Sequence, residues 1–325
     1  MARIESRMVG VGAYLPENIV TNADLAARVD TDDEWIRSRT GICQRHIAAD
    51  GEATSDIAAA SARRALADAG LAASDMDVII VATVTPDRTF PSTAVHVQAK
   101  IGARPCVAFD VSAACAGFIY ALNAADALLS TGRLSRALVI GAEKLSCFLD
   151  WNDRATCVLF GDGGGAVVLE ATKADDDAPR RGVLGVHASA DGRQTELLYA
   201  DGGPSTTNTV GQVRMNGREV FRNAVEEISN AVVTVSKNAD VRIDDIDWFV
   251  PHQANLRIIE SCAKRLSLDM SKVIVTIDRH ANTSSASIPL ALDDALRNGR
   301  LGEGDLVAFA ALGGGLAWGS ALVRF

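Results

Sequence analysis

The chain has 325 residues, 48% of them hydrophobic and 5% aromatic, and a formal net charge of −9 at neutral pH. That length allows two ordinary domains or one large domain of two similar halves, and a Gly- and Ala-rich, aromatic-poor composition excludes a disordered or fibrous chain. The negative balance argues against general nucleic-acid binding, which needs a positive field to displace counterions from phosphate. An anionic partner therefore requires a local basic patch acting within a Debye length of about 8 Å.

At the N-terminus, Arg3, Glu5 and Arg7 stand where a signal peptide would be apolar. No apolar run approaches the roughly 20 residues that span a bilayer, so the expectation is a cytoplasmic protein with no membrane segment. The six cysteines, Cys43, Cys106, Cys115, Cys147, Cys157 and Cys262, form no C-x-x-C pair and no cluster with histidine. Neither a disulfide framework nor a metal site is expected.

A helical stretch from Thr54 to Ala69 ends at Gly70 and leads into DMDVIIV, Asp75 to Val81. Next, the strand-like VAFDV (Val107 to Val111) precedes Cys115, and a helical run then stops at Gly132. A cysteine at such an elbow sits at a helix N-terminus, where unpaired N–H groups and the helix dipole favour the thiolate and can cradle an oxyanion. The other five cysteines read as buried structural residues. GDGGGAVVLE (Gly161 to Glu170) resembles a nucleotide loop only superficially, because it enters a strand rather than a helix. The polar ATKADDDAPRRG, Ala171 to Gly182, reads as a connector.

The second half repeats this order. A helical stretch from Arg218 to Asn238 leads into DIDWFVP, Asp245 to Pro251, and GRLGEGDLVAFAALGGG (Gly299 to Gly315) echoes GRLSRALVIGAE (Gly132 to Glu143). We read two similar α/β halves, 1–175 and 176–325, with parallel sheets, helical crossovers and strands such as VAFDV covered on both faces. Aligning the two GRL tripeptides gives an offset of 299 − 132 = 167, which sets Asn282 opposite Cys115. His252 follows an apolar strand, at the carboxyl end where ligands bind in α/β sheets. Asn282 lies in a polar turn whose Thr283 and Ser284 read as helix caps. Cys, His and Asn also occur together in papain-like hydrolases, but two duplicated halves with donors aimed at one oxygen suit Claisen chemistry better.

DEWIRSRTGI, DVSAACAGF, GAEKLS, LFGDGGGA, MNGREVF, VPHQANLRI, HANTSSASIPLAL and GGGLAWGSALVRF, in this order and spacing, make the chain resemble the β-ketoacyl-acyl-carrier-protein synthase III family over essentially its whole length. The resemblance implies an α/β thiolase-like fold, two pseudo-symmetric halves with mixed sheets and buried helices layered α-β-α-β-α. It implies an acyltransferase that condenses an acyl-CoA, acetyl-CoA foremost, with malonyl-acyl-carrier protein, using no metal or other cofactor because the malonyl carboxylate supplies the carbanion; the coenzyme A thioester is a substrate. Residue by residue, it makes Cys115 the nucleophile, His252 and Asn282 the decarboxylation pair, and Gly314 the partner of the Cys115 N–H in an oxyanion hole. Trp35, Arg39, Arg154, Gly217, Phe221 and Asn255 become coenzyme A contacts, and Gln253, Ala254, Asn255, Leu256 and Arg257 a carrier-protein contact that Lys264 and Arg265 extend. Phe90 lines the acyl pocket across a homodimer interface. The competing readings are a relative serving polyketide or quinolone synthesis, a catalytically silent partner of an active homologue, and a hydrolase.

Overall fold

The computed structural model describes residues 3–175 and 178–325. Two mixed sheets organise it. The first runs in the order Ile4–Tyr14, Gly163–Lys173, Arg136–Glu143, Val78–Ala82, Val107–Val111; its first two pairings are antiparallel and its last two parallel. The second runs Trp248–Pro251, Leu306–Gly313, Ala317–Arg324, Gly182–Ala190, with only the first pairing parallel. Both sheets are mixed, as the resemblance implies: each half adds antiparallel neighbours to the parallel core that the alternation of strands and helices suggests.

Side-chain alternation along the strands builds the layers. Val78, Ile80 and Val139 of the first sheet meet Val250, Val307 and Phe309 of the second in one central core with the helices Gly117–Ser130 and Ser287–Arg297. The alternate residues Ile79, Val81 and Leu138 pack outward with the helix Thr54–Ala69. On the far side, Phe249 and Ala308 pack against the helices Gly217–Asn238 and Leu256–Arg265. The result is the α-β-α-β-α layering.

The repeat is real, but its offset differs from the one the tripeptides give. The short turns Ala73–Asp75 and Ile243–Asp245, Ala114–Ala116 and Ser284–Ala286, and the strands beginning at Arg136 and Leu306 all differ by 170, since 243 − 73, 284 − 114 and 306 − 136 agree. The helix Ser287–Arg297 has 11 residues against 14 in Gly117–Ser130, which brings the second GRL three residues early. The positional counterpart of Cys115 is therefore Ser285, and Asn282 lies three residues before it.

Two further expectations change. The strand Val107–Val111 is an uncovered sheet edge, with Val107 exposed; a run of apolar residues cannot by itself distinguish an edge from a centre. In the connector, Ala171 to Lys173 still belong to a strand, and residues 176–177 lie outside the described residues.

Gly141 lets the first sheet touch the turn of the second half, since a methyl group there would stand 2.3 Å from the Ser285 carbonyl oxygen. Backbone cannot give way cheaply, so Gly141→Ala should cost about 1–3 kcal/mol of stability. Urea unfolding checks it; an unchanged midpoint would mean the turn is not held there.

Candidate active site

The chain leaves the strand Val107–Val111, tightens through Ala114–Ala116 and enters the helix Gly117–Ser130. Ala114 adopts a left-handed φ of 45°, which a non-glycine residue keeps only when its surroundings impose it. Gly313 is part of those surroundings: a methyl group on it would lie 2.5 Å from the Cys115 nitrogen. Cys115 is thereby fixed, 7% exposed, in the lining of a cavity of about 440 Å³.

The thiol is not acidic at rest. Burial pushes it up to about 11; a hydrogen bond with Ser284 opposes this, and Glu143 would add to it when ionised. Desolvation of a charge in the central layer thus opposes the thiolate that the helix start favours.

His252 and Asn282 line the same cavity. The backbone N–H of His252 donates to Ala310 O (2.8 Å), continuing the adjacent strand pairing. Its Nδ1 lies 2.6 Å from Ser287 Oγ, which also accepts the Gln253 N–H at 3.2 Å. A hydroxyl that accepts from Gln253 still has its own proton to give, and when Ser287 donates it to Nδ1 the ring proton sits on Nε2, the tautomer we assign. Burial lowers the pKa of His252 to about 3, leaving a neutral imidazole with one N–H donor.

Asn282 stands next to Ala281 (φ 57°) and two residues before Ser284 (φ 51°), both left-handed. Its backbone N–H donates to Leu159 O, its carbonyl accepts from Gly161, and its Oδ1 accepts the Ser284 N–H at 2.9 Å. With Oδ1 committed, the amide N–H groups remain for the cavity. Two neutral donors and a thiol on one cavity can hold an oxygen on which negative charge develops beside a nucleophile. Ser287 is hidden in the sequence because its serine run looks like helix capping; its signal is a hydroxyl five residues beyond Asn282.

At the cavity mouth, Trp35 carries two stacked guanidinium groups, Arg39 at 4.7 Å and Arg154 at 5.1 Å from the ring centroid. Gly217, Phe221, Asn255 and Arg257 also line the cavity, with Arg257 over the Phe221 ring at 5.7 Å. Asn255 caps the helix Leu256–Arg265 and donates to Arg39 O at 3.0 Å, tying the mouth together. Within the expected carrier contact, Arg257 is exposed, Ala254, Asn255 and Leu256 are half-buried, and Lys264 and Arg265 are exposed further along. Gln253 is different: it is wholly buried, donating to Pro251 and Ile274 carbonyls and accepting from Thr276 N–H. A docked protein cannot reach it. Gly314 lies in the hairpin after Leu306–Gly313, where a methyl group would meet Leu198 O at 2.5 Å. Phe90 is 83% exposed and outside this cavity.

Residues 109–192 match the family model described as 3-oxoacyl-[acyl-carrier-protein] synthase III, and residues 237–325 the model of its C-terminal part. A beta-ketoacyl-[acyl-carrier-protein] synthase III of Erythrobacter litoralis is 57% identical over 322 residues, covering 99% of this chain and 100% of that protein. The crystal structure of the 3-oxoacyl-[acyl-carrier-protein] synthase III of Aquifex aeolicus superposes with a TM-score of 0.92 at 45% identity, over 98% of this chain and 100% of that one. A priming beta-ketosynthase from the R1128 polyketide pathway gives the same TM-score at 34% identity, over 99% and 97%.

Alkylation of Cys115 by iodoacetamide should accelerate steadily with pH toward about 11. A plateau below about 8.5, the free-thiol value, would show that the helix start prevails after all.

Proposed function

Since the chain belongs to the β-ketoacyl-[acyl-carrier-protein] synthase III family, and so is an acyltransferase that condenses an acyl-CoA with malonyl-acyl-carrier protein to initiate fatty-acid synthesis, we propose that Cys115, His252 and Asn282 carry that reaction. One observation supports this most directly: all three line a single cavity, the sulfur from one half of the fold and the two donors from the other.

In the first half-reaction the Cys115 sulfur attacks the acyl-CoA carbonyl, the carbon–sulfur bond to coenzyme A breaks, and the thiol proton ends on the departing coenzyme A sulfur. The Cys115 and Gly314 N–H groups are the proposed oxyanion hole, consistent with the turn geometry that leaves the first N–H groups of the helix unpaired. In the second, the malonyl group loses CO₂ and the bonding pair becomes an enolate. Its oxygen accepts from His252 Nε2–H and Asn282 Nδ2–H, and its carbon attacks the Cys115 thioester. The sulfur leaves and regains a proton from water. Neutrality of His252 suits this role, because a neutral donor stabilises the enolate without protonating it. The carboxylate supplies the carbanion, so no cofactor is proposed.

Trp35 with Arg39 and Arg154 offers an aromatic face and two cations, which suits the purine and phosphates of coenzyme A. Gly217, Phe221 and Asn255 line the way inward and suit the pantetheine arm. Arg257, with Lys264 and Arg265 on the same helix, forms the local positive patch for an acidic carrier protein, beside Ala254, Asn255 and Leu256. The bulk of Phe160, Leu198, Met215 and Leu312 around the cavity favours a short primer, acetyl before longer chains. The identities of 57% and 45% to enzymes named as 3-oxoacyl- or beta-ketoacyl-[acyl-carrier-protein] synthase III, against 34% to the polyketide-pathway enzyme, favour fatty-acid over polyketide priming.

The bare edge Val107–Val111 with its exposed Val107 invites pairing with a second copy, and Phe90 would then reach the partner's pocket. A homodimer, each copy built of the halves 1–175 and 176–325, is therefore part of this reading. Among the described residues no helix is long and apolar enough to cross a membrane, and reliance on acyl-CoA makes the cytoplasm the proposed compartment.

Cys115→Ala should lose acyl transfer yet retain malonyl decarboxylation. Asn282→Ala or His252→Ala should still take up radiolabelled acyl groups while condensing on the order of 10² to 10³ times more slowly. Normal condensation by the Cys115→Ala protein would refute the assignment. Light scattering should give twice the 34.2 kDa chain mass, and Ala108→Pro, next to Val107 whose own N–H already donates inward to Asp77 O, should reduce it to one.

A further inference from the structure

Glu143 ends the strand Arg136–Glu143 at full burial, beneath the two turns that carry Cys115 and Asn282. Its Oε2 accepts three donors: Thr83 Oγ1 at 3.1 Å, the Val84 N–H at 3.1 Å and Thr85 Oγ1 at 2.9 Å. Both threonine hydroxyls in turn accept backbone N–H groups, Thr83 from Thr85 and Thr85 from Lys144, so their protons are free to point at the carboxyl. The other oxygen, Oε1, faces Ser285 Oγ at 3.0 Å, and that same hydroxyl lies 2.9 Å from the Ala82 carbonyl oxygen. Ser285 has one proton for two acceptors. The carbonyl can only accept, whereas a carboxyl can be protonated and donate.

From this donor count we infer that Glu143 is held as a neutral carboxylic acid, giving its Oε1 proton to Ser285, which gives its own to Ala82. Every group then has a partner, as a buried polar network requires. All four carboxyl partners are uncharged. Of the titratable neighbours, Cys115 and Cys147 both feel its charge when it ionises, and Lys144 turns its ammonium away to the Glu52 carbonyl at 2.7 Å. Burial raises the acid to about 7, against 4.5 for an ordinary glutamate, in the same direction as the count.

The consequence is positional. Ser285 is the symmetry counterpart of Cys115, and the neighbouring Ser284 supplies the N–H that orients Asn282 Oδ1. Glu143 is thus a positioning residue that reaches from the nucleophile's half to fix the donor turn of the other, while keeping negative charge away from the sulfur. This deepens the assignment of Cys115 and Asn282 and rests on it for its functional meaning only.

The tests use no turnover, so they can fail while that assignment stands. Native Glu143 binds a proton that the unfolded chain has lost, so its stabilising contribution is present below 4.5 and disappears as pH rises through about 7. Glu143→Gln, whose amide keeps the donor to Ser285, has no such dependence. Thermal unfolding of the two proteins across this range should therefore show the wild type losing ground to the variant as pH rises; a flat or opposite trend overturns the inference. Should the variant not fold, infrared spectra of the wild type should contain a protonated-carboxyl band that vanishes near pH 7 and shifts in frequency in Ser285→Ala. No band, or one indifferent to Ser285, overturns it equally.

Discussion

Desolvation between the two sheets is the condition on which this site depends. The central layer excludes water from Cys115 and His252, and each therefore rests in its neutral form, with pKa values pushed in opposite directions by the same cause. In water a thiol and an imidazole would be separated by about two units and exchange protons freely. Here they are held far apart, which suits the proposed reaction, in which the histidine serves as a donor and not as a base and the sulfur gives up its proton only as the thioester is attacked.

Neutral groups can be packed where charged ones cannot, and the backbone exploits this. Gly313 against Cys115 and Gly141 against Ser285 press the sheet of each half onto the turn of the other. The chain has two copies of one elbow, each with a left-handed residue at its start, Ala114 and Ser284. The next position separates their roles: a sulfur, Cys115, in the first copy, and in the second a hydroxyl, Ser285, locked to Glu143. The chemistry is asymmetric although the frame is not.

At the mouth the balance reverses. Arg39, Arg154 and Arg257 lie beside aromatic rings and in contact with solvent, outside the desolvated floor. On the proposed reading, a charged nucleotide or carrier surface is met by these cations outside, while the arm and its acyl or malonyl group enter.

Much of this was legible in the amino-acid sequence itself. The helix Thr54–Ala69, the strand after Gly161, the elbow at Cys115 and the duplicated order of elements stem from local periodicity, glycine placement and capping, which are properties of neighbouring residues. The motif string likewise marks the family, because spacing of chemical groups survives in one dimension. Tertiary structure alone decided the 170-residue offset, since the shortening of the helix Ser287–Arg297 by three residues leaves no local trace. It also decided the burial of Gln253, the bare edge at Val107, and the partners Ser287 and Glu143. The protonation states belong there too: whether a thiol or carboxyl carries its proton depends on how much water the surrounding layers remove, and that is a property of packing between segments distant along the chain.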